Sequence, residues 1–295
     1  MDVLSNELMN TVKKAILVTS FGTTYNENRV KTIDALEALV QERFPDWEVR
    51  RAFTSKMVIR RLKERDGTEI DYVSEAMDKL SREGFQEVVV QPTHIVNGKE
   101  YDDVVRIVDG HVGEIRSLRM SRPLLTSSED YDRVVKVVED TLLPKLSPQG
   151  ALVLMGHGSV HYANASYCQL QMKFWSAGHR NVFVTTVEGY PNFEETLGFM
   201  RDGEYRDVLV YPLMLVAGDH ANNDMAGDEE DSLKSVLTAA GYDVSCIVRG
   251  MGECPHFREL FLDHITDAVR KSEVECQDGG CGASVGKTEV LVDHL

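Results

Sequence analysis

The sequence predicts an α/β protein of two tandem domains, each a parallel sheet flanked by helices. Three observations lead there. Short apolar runs rich in Val, Ile and Leu alternate with amphipathic stretches, as strands buried on both faces alternate with covering helices. The two halves of the chain resemble one another. Between them, the segment TLLPKLSPQG carries two prolines and a glycine, a natural joint.

The expected strands of the first half are residues 15–19, 47–53, 87–91 and 118–120. Those of the second half are residues 151–155, 182–187, 208–211 and 244–248. Between them lie helical patterns. Over residues 30–44, Val30, Ile33, Leu36, Leu39 and Val40 fall on one stripe. Residues 70–80 and 131–143 behave in the same way. Strand, helix, strand, helix calls for crossover connections and therefore parallel pairing.

The repeat is visible twice. AILVTSFGTTY (15–25) resembles ALVLMGHGSVHY (151–162) at a shift of 157 − 21 = 136. EVVVQPTHIVNGKEYDDV (87–104) resembles DVLVYPLMLVAGDHANNDM (207–225) at a shift of 212 − 92 = 120, matching Pro92 to Pro212 and Gly98 to Gly218. The expected division is therefore 1–145, 146–272, and an extension over 273–295 where the periodicity is lost.

Composition narrows the function. A formal charge of −16 excludes a nucleic-acid binder and an anionic-lipid binder, both of which need a basic face. It leaves room for an anionic small molecule held by a local basic patch. The N-terminal MDVLSNELMNTVKKA has neither the layout of a secretory signal nor an apolar run of spanning length, so a cytoplasmic protein is expected. Five irregularly spaced cysteines do not read as a disulfide framework. The tail stretch from Gly282 to Thr288 has three residues between its glycines where a phosphate loop needs four, so it is not read as one. Cys276 and Cys281 have no evident partner ligands.

Open parallel sheets place ligands beyond the carboxyl ends of their strands. In the second half three ionisable residues occupy such places: His157 between Gly156 and Gly158, Glu188 before Gly189, and His220 after Gly218-Asp219. Two imidazoles and one carboxylate suit a divalent first-row metal with positions left open. The first half has Phe21 opposite His157, Glu100 opposite His220 and Phe53 opposite Glu188, so the metal chemistry is assigned to the second half. His161 is a further candidate near the site, and His94 sits at the equivalent mouth of the first half. The acidic run Asp219, Asp224, Asp228, Glu229, Glu230 and Asp231 is read first as a solvated helix start.

A flat macrocycle wants apolar walls and a few cationic anchors. Phe21, Tyr25, Phe53, Tyr101 and Tyr190 lie near strand ends, and Arg50, Arg51, Lys56, Arg60 and Arg61 form a basic stretch beside the second strand.

Taken together, LVTSFGTTY, VVVQPTHIVNGKEYDDV, MGHGSVHYANASY, TVEGYP and YPLMLVAGDHANNDMAGDE resemble the anaerobic cobaltochelatases of cobalamin biosynthesis, members of the class II chelatase superfamily. The resemblance runs from about Lys13 to about Arg270. It implies two flavodoxin-like domains with the active site between them, and a metal site on His157, Glu188 and His220. It also implies ATP-independent insertion of Co²⁺ into sirohydrochlorin or precorrin-2 with no organic cofactor, and Phe21, Tyr25, His94, Glu100 and His161 as candidates for contact with the macrocycle. A homo-oligomer is expected. A ferrochelatase or nickel chelatase is the nearest rival, since imidazole and carboxylate suit all three ions. A non-enzymatic tetrapyrrole or haem carrier, with His94 or His157 as axial ligand, is the second. A metal-dependent hydrolase is the third, but no general base and oxyanion site are visible for it.

Overall fold

The computed structural model describes residues 12–277. Eight strands form: β1 Lys14–Ser20, β2 Glu48–Phe53, β3 Glu87–Pro92, β4 Ser117–Met120, β5 Gly150–Gly156, β6 Val182–Thr186, β7 Asp207–Pro212 and β8 Asp243–Cys246. They make two separate four-stranded sheets of order β2-β1-β3-β4 and β6-β5-β7-β8, with every pairing parallel. The two orders are the same, as a duplicated unit requires. In each, the strand order reverses beside the first strand, between β1 and β3 and between β5 and β7, which opens a crevice at the carboxyl ends.

Helices α1 Asn26–Arg29, α2 Ala35–Arg43, α3 Lys56–Asp66, α4 Val73–Arg82, α5 Lys99–Asp109 and α6 Ser128–Thr141 belong to the first half. Helices α7 Ala165–Ser176, α8 Phe193–Met200, α9 Leu233–Ala239 and α10 Pro255–Gln277 belong to the second. Alternate residues of the strands enter different cores, because side chains switch faces with period two. Ile16 and Val18 of β1 join a core with Leu152 and Leu154 of β5, whereas Ala15 and Leu17 face a core under α4 and α5. Ala151, Val153 and Met155 of β5 face a third, under α9.

The first of these cores runs through both halves, because two helices cross between them. Helix α6 packs on α7, burying Tyr131, Val134 and Val138. Helix α10 returns to the first half and lies on β3, β4, α2 and α6. It buries Phe257, Phe261, Leu262 and Ile265, each contributing about 1.5–3 kcal/mol of transfer free energy. A polar seam holds it there. His264 of α10, 1% exposed, places Nε2 2.9 Å from Asp130 Oδ1 and Nδ1 3.2 Å from the carbonyl of Arg122. Arg122 in turn donates to Asp130 at 3.2 Å and to Asp267 at 3.1 Å. Asp130 also closes the N-terminus of α6, accepting from the backbone N–H of Ser127 at 2.8 Å while Ser127 Oγ accepts from the N–H of Asp130.

Three sequence expectations change. The single helix over 30–44 is broken: α1 is followed by a π-helical turn, Val30–Asp34, before α2 begins. The wider turn rotates Val30 off the apolar stripe and leaves it 55% exposed, while Ile33, Leu36 and Val40 are fully buried. Arg50 and Arg51 are not free anchors. Arg50 pairs with Glu48 and Glu83, and Arg51 pairs with Glu37 and Asp34, so both charges are met within the first half. Finally, α10 continues to Gln277, into the stretch expected as an extension. Cys281 and the Gly282–Thr288 stretch lie outside the described residues, as does the side chain of Cys276. No helix among the described residues is long and apolar enough to cross a membrane.

Candidate metal-binding site

Sheet order explains why three residues distant in sequence meet. His157 follows β5, Glu188 follows β6 and His220 lies beyond β7, and these are three adjacent strands in the order β6-β5-β7. Each strand delivers its residue at its carboxyl end. The loops after β5 and β6 are tied together by backbone: the N–H of Glu188 donates to the carbonyl of His157 at 2.8 Å. Asn164 clamps the same two loops. Its Oδ1 accepts from the N–H of Ser159 at 3.0 Å and its Nδ2 donates to the carbonyl of Tyr190 at 2.7 Å.

Gly158 makes the approach possible. It has φ of 80°, and a Cβ there would stand 2.6 Å from the nitrogen of Gly189. Gly22, its counterpart in the first half, has φ of 93° and would meet the ring of Phe53 at 2.4 Å. The repeat has kept the tight turn while changing what packs against it: a buried Phe53 in one half, the backbone beside Glu188 in the other.

The two imidazoles are in ring contact, with centroids 4.5 Å apart and planes at 86°. His157 Nδ1 lies 3.0 Å from the carbonyl of its neighbour Gly158 and 4.0 Å from Glu188 Oε2. His220 Nδ1 lies 2.7 Å from Asp224 Oδ2. A carbonyl and a carboxylate can only accept, so in the neutral form of both rings the Nδ1 atom carries the hydrogen and Nε2 keeps its lone pair. That is the tautomer a metal ligand needs, set by the second nitrogen's partner. His220 is also the residue leading into a π-helical turn, Ala221–Met225.

All three side chains reach solvent: His157 is 48%, Glu188 60% and His220 35% exposed. Among the described residues no group of three or more His, Cys, Asp or Glu side chains is gathered closely enough to hold an ion. The arrangement is two imidazoles in contact with an exposed carboxylate alongside.

The remaining sequence candidates are spread over both halves. The Tyr25 hydroxyl donates to Asp219 Oδ1 at 2.9 Å, and this carboxylate, first of all through the hydrogen bond, raises the pKa of the phenol. His161 accepts from the N–H of Ala163 at 3.2 Å through Nδ1 and faces Asp102 of α5 with Nε2 at 3.4 Å. The Tyr25–Asp219 and His161–Asp102 contacts join the first half to the second. Phe21 is 44% and Tyr190 51% exposed, leaving aromatic faces uncovered. Tyr101 is half-buried, and burial, with Asp102 and Asp109 nearby, pushes its phenol up to about 12. His94 is nine-tenths buried, stands 3.5 Å from Glu100 and has neither ring nitrogen hydrogen-bonded. Lys56 is spent over the ring of Tyr72 at 4.6 Å, and Arg60 and Arg61 are exposed on α3.

Sequence reasoning passed over Asp224, Asn164 and Asn28. Asp224 stands four residues after His220, the spacing that faces two side chains on one helical turn, but it was merged into the acidic run. Asn164 reaches the carbonyl of Tyr190 and Asn28 accepts from the N–H of Ala217, contacts distant in sequence that leave no local signal.

Comparison with known proteins agrees with the architecture. The family model described as "Cobalt chelatase (CbiK)" matches residues 14–270. The chain is 39% identical over 264 residues to a sirohydrochlorin cobaltochelatase of Salmonella typhimurium, covering 90% of this chain and 99% of that one. It is 34% identical over 259 residues to the sirohydrochlorin cobaltochelatase CbiKC of Nitratidesulfovibrio vulgaris, covering 87% and 91%. Among solved structures, SirB from Bacillus subtilis with Fe³⁺ superposes with a TM-score of 0.60 at 16% identity, covering 90% of this chain and 98% of that one. CbiX, described as the terminal enzyme for biosynthesis of sirohaem in denitrifying bacteria, gives 0.53 at 16% identity, covering 86% and 99%. At such identity the two structures speak to the fold.

Proposed function

Because this chain belongs to the cobalt chelatase family, we propose that it inserts Co²⁺ into sirohydrochlorin, on the anaerobic route to cobalamin, at the centre formed by His157, His220 and Glu188. The observation that carries the assignment of the centre is the contact of two imidazoles, 4.5 Å apart, each with Nδ1 occupied by an acceptor.

Insertion exchanges one Co²⁺ for two pyrrole N–H protons, and the ion must lose water on the way. His157 and His220 offer Nε2 lone pairs to the incoming ion, at the ~2.0–2.1 Å that metal–imidazole bonds require. Glu188, exposed and 4.0 Å from His157, turns in as a third ligand, through oxygen. As the ion passes to the ring nitrogens, the freed carboxylate and one imidazole take the two protons; an ordinary imidazole, with a pKa near ~6.5, is suited to that. An open arrangement fits an ion that is substrate and must leave. No ATP and no organic cofactor enters this scheme. Phe21, Tyr25 and Tyr190 supply aromatic surface for the planar substrate, with His94, Glu100 and His161 around the same rim.

The test is direct. The protein is incubated anaerobically with sirohydrochlorin and Co²⁺, Fe²⁺ or Ni²⁺, and the absorption spectrum is followed. Metal-dependent conversion with Co²⁺ is expected. A static coloured complex with no conversion by any of the three ions would sink the proposal in favour of a carrier.

A further inference from the structure

The loop that ends at His220 is held from the opposite half of the molecule. Residues Ala217, Gly218 and Asp219 lead up to the imidazole, and each is bonded. The N–H of Ala217 donates to Asn28 Oδ1 at 3.0 Å, and Asp219 accepts from the Tyr25 hydroxyl at 2.9 Å. On the other side, Asn222 Nδ2 donates to the carbonyls of Ala217 and Gly218 at 3.3 and 2.7 Å. Asn28 and Tyr25 come from α1 and the turn before it; Asn222 comes from the loop's own half.

Asn28 does more than cap one amide. Its Nδ2 donates to Glu253 Oε1 at 3.1 Å, in the turn that leads into α10. One primary amide thus joins the first half to two separate segments of the second. The contact is close-packed: a Cβ on Gly252 would stand 2.8 Å from the Cβ of Thr32, one turn on from Asn28. Ala217 is 4% exposed, so its N–H has no water to fall back on if Asn28 is removed.

Resting on the assignment of His220 as a ligand, we infer that Asn28 is a positioning residue for metal insertion: it makes the placement of the second half's imidazole depend on the first half. When the halves are seated, Asn28 fixes Ala217, and His220 stands against His157.

The test is steady-state kinetics with Co²⁺ and sirohydrochlorin, with thermal unfolding of each variant run in parallel. Asn28→Ala is expected to lower kcat and raise the KM for Co²⁺, together by about ten- to hundredfold, as loss of a residue supporting a ligand does, with KM for sirohydrochlorin unchanged. Asn28→Asp alone sets two carboxylates against each other and should be as poor. Asn28→Asp combined with Glu253→Gln reverses donor and acceptor across that contact and keeps an acceptor for Ala217, so it should recover activity to within a few-fold. Should Asn28→Ala fail to fold, the Asn28→Asp variant with and without Glu253→Gln decides. Wild-type kinetics in Asn28→Ala, or no recovery in the pair, overturns the inference. His220→Ala run alongside separates the two levels: its inactivity keeps the site assignment standing whatever Asn28 does, and its full activity removes that assignment.

Discussion

His157 stands edge-on to His220, ring centroids 4.5 Å apart, although 62 residues (220 − 157 − 1) lie between them in sequence. Strand order brings this about, since β5 and β7 are hydrogen-bonded neighbours and both rings sit beyond their carboxyl ends. Neither ring is deeply buried, so neither is there to fill a core. His157→Ala and His220→Ala should therefore each unfold within about 0.5 kcal/mol of wild type. Each should lose more than about a hundredfold in Co²⁺ insertion, having lost a ligand and a proton acceptor. Calorimetry together with the absorption assay separates these effects, and retained insertion in either variant would refute the assignment.

Asp224 fixes the tautomer of His220 through a 2.7 Å contact. Asp224→Leu frees the ring to rotate and to place its hydrogen on Nε2, where it blocks the ion. Insertion should fall by about ten- to hundredfold, mostly in kcat and the KM for Co²⁺. Asp224→Asn keeps an acceptor oxygen and should fall less. Equal losses in the two variants would show that charge, and not orientation, is what Asp224 supplies.

Much of this was legible in the sequence, and the failures have a physical pattern. Buried parallel strands need apolar residues on both faces, so runs such as ALVLM announce themselves, and a turn requiring positive φ shows as a glycine at the same place in both halves, Gly22 and Gly158. His157 stood out because it lies between two glycines at a strand end, where a side chain can stand clear. Helix α10 was not among the expected helices, and its crossing could not have been read in any case, because an amphipathic stripe says that a face is buried and not against which sheet. The π turn at Val30–Asp34 escaped because five residues are too few to tell its period from an α-helix. Arg50 and Arg51 misled because a charge does not reveal its partner; Glu37 and Glu83 reach them from α2 and the end of α4.

The α10 seam makes stability depend on acid pH. Burial opposes ionisation of Asp130, which is 3% exposed, but His264, the Ser127 N–H and Arg122 outweigh it and hold the carboxyl well below the usual range. A group whose pKa is lowered on folding binds its proton more readily when unfolded. Its contribution is thus complete above the unfolded carboxylate pKa of ~3.9 and is lost as pH falls below that value. Urea midpoints should drop from about pH 5 downward in the wild type and more shallowly in Asp130→Asn. At neutral pH, Asp130→Ala leaves Arg122 and His264 without their shared partner and should cost about 3–5 kcal/mol. Parallel pH profiles in wild type and Asp130→Asn would show that other carboxylates govern acid unfolding.

The paired glycines allow the duplicated scaffold and the chemistry to be pulled apart. Gly22 and Gly158 hold equivalent places and both have left-handed φ, of 93° and 80°. An alanine at either carries backbone strain of about 1–3 kcal/mol. What the added methyl meets differs. At Gly22 it runs into the Phe53 ring, a core side chain of the first half. At Gly158 it runs into the nitrogen of Gly189 and the side chain of Thr186, and so pushes the Glu188 loop away from the His157 loop. Gly22→Ala should therefore lower the unfolding midpoint and leave the kcat of the folded fraction within a few-fold of wild type. Gly158→Ala should lower the midpoint by a similar amount and also reduce kcat by about tenfold or more, since a displacement near 1 Å at a reacting centre has effects of that size. Equal kcat losses in the two variants would mean that the first half's turn bears on the reaction as directly as the second's, and the division of labour between the halves would have to be redrawn.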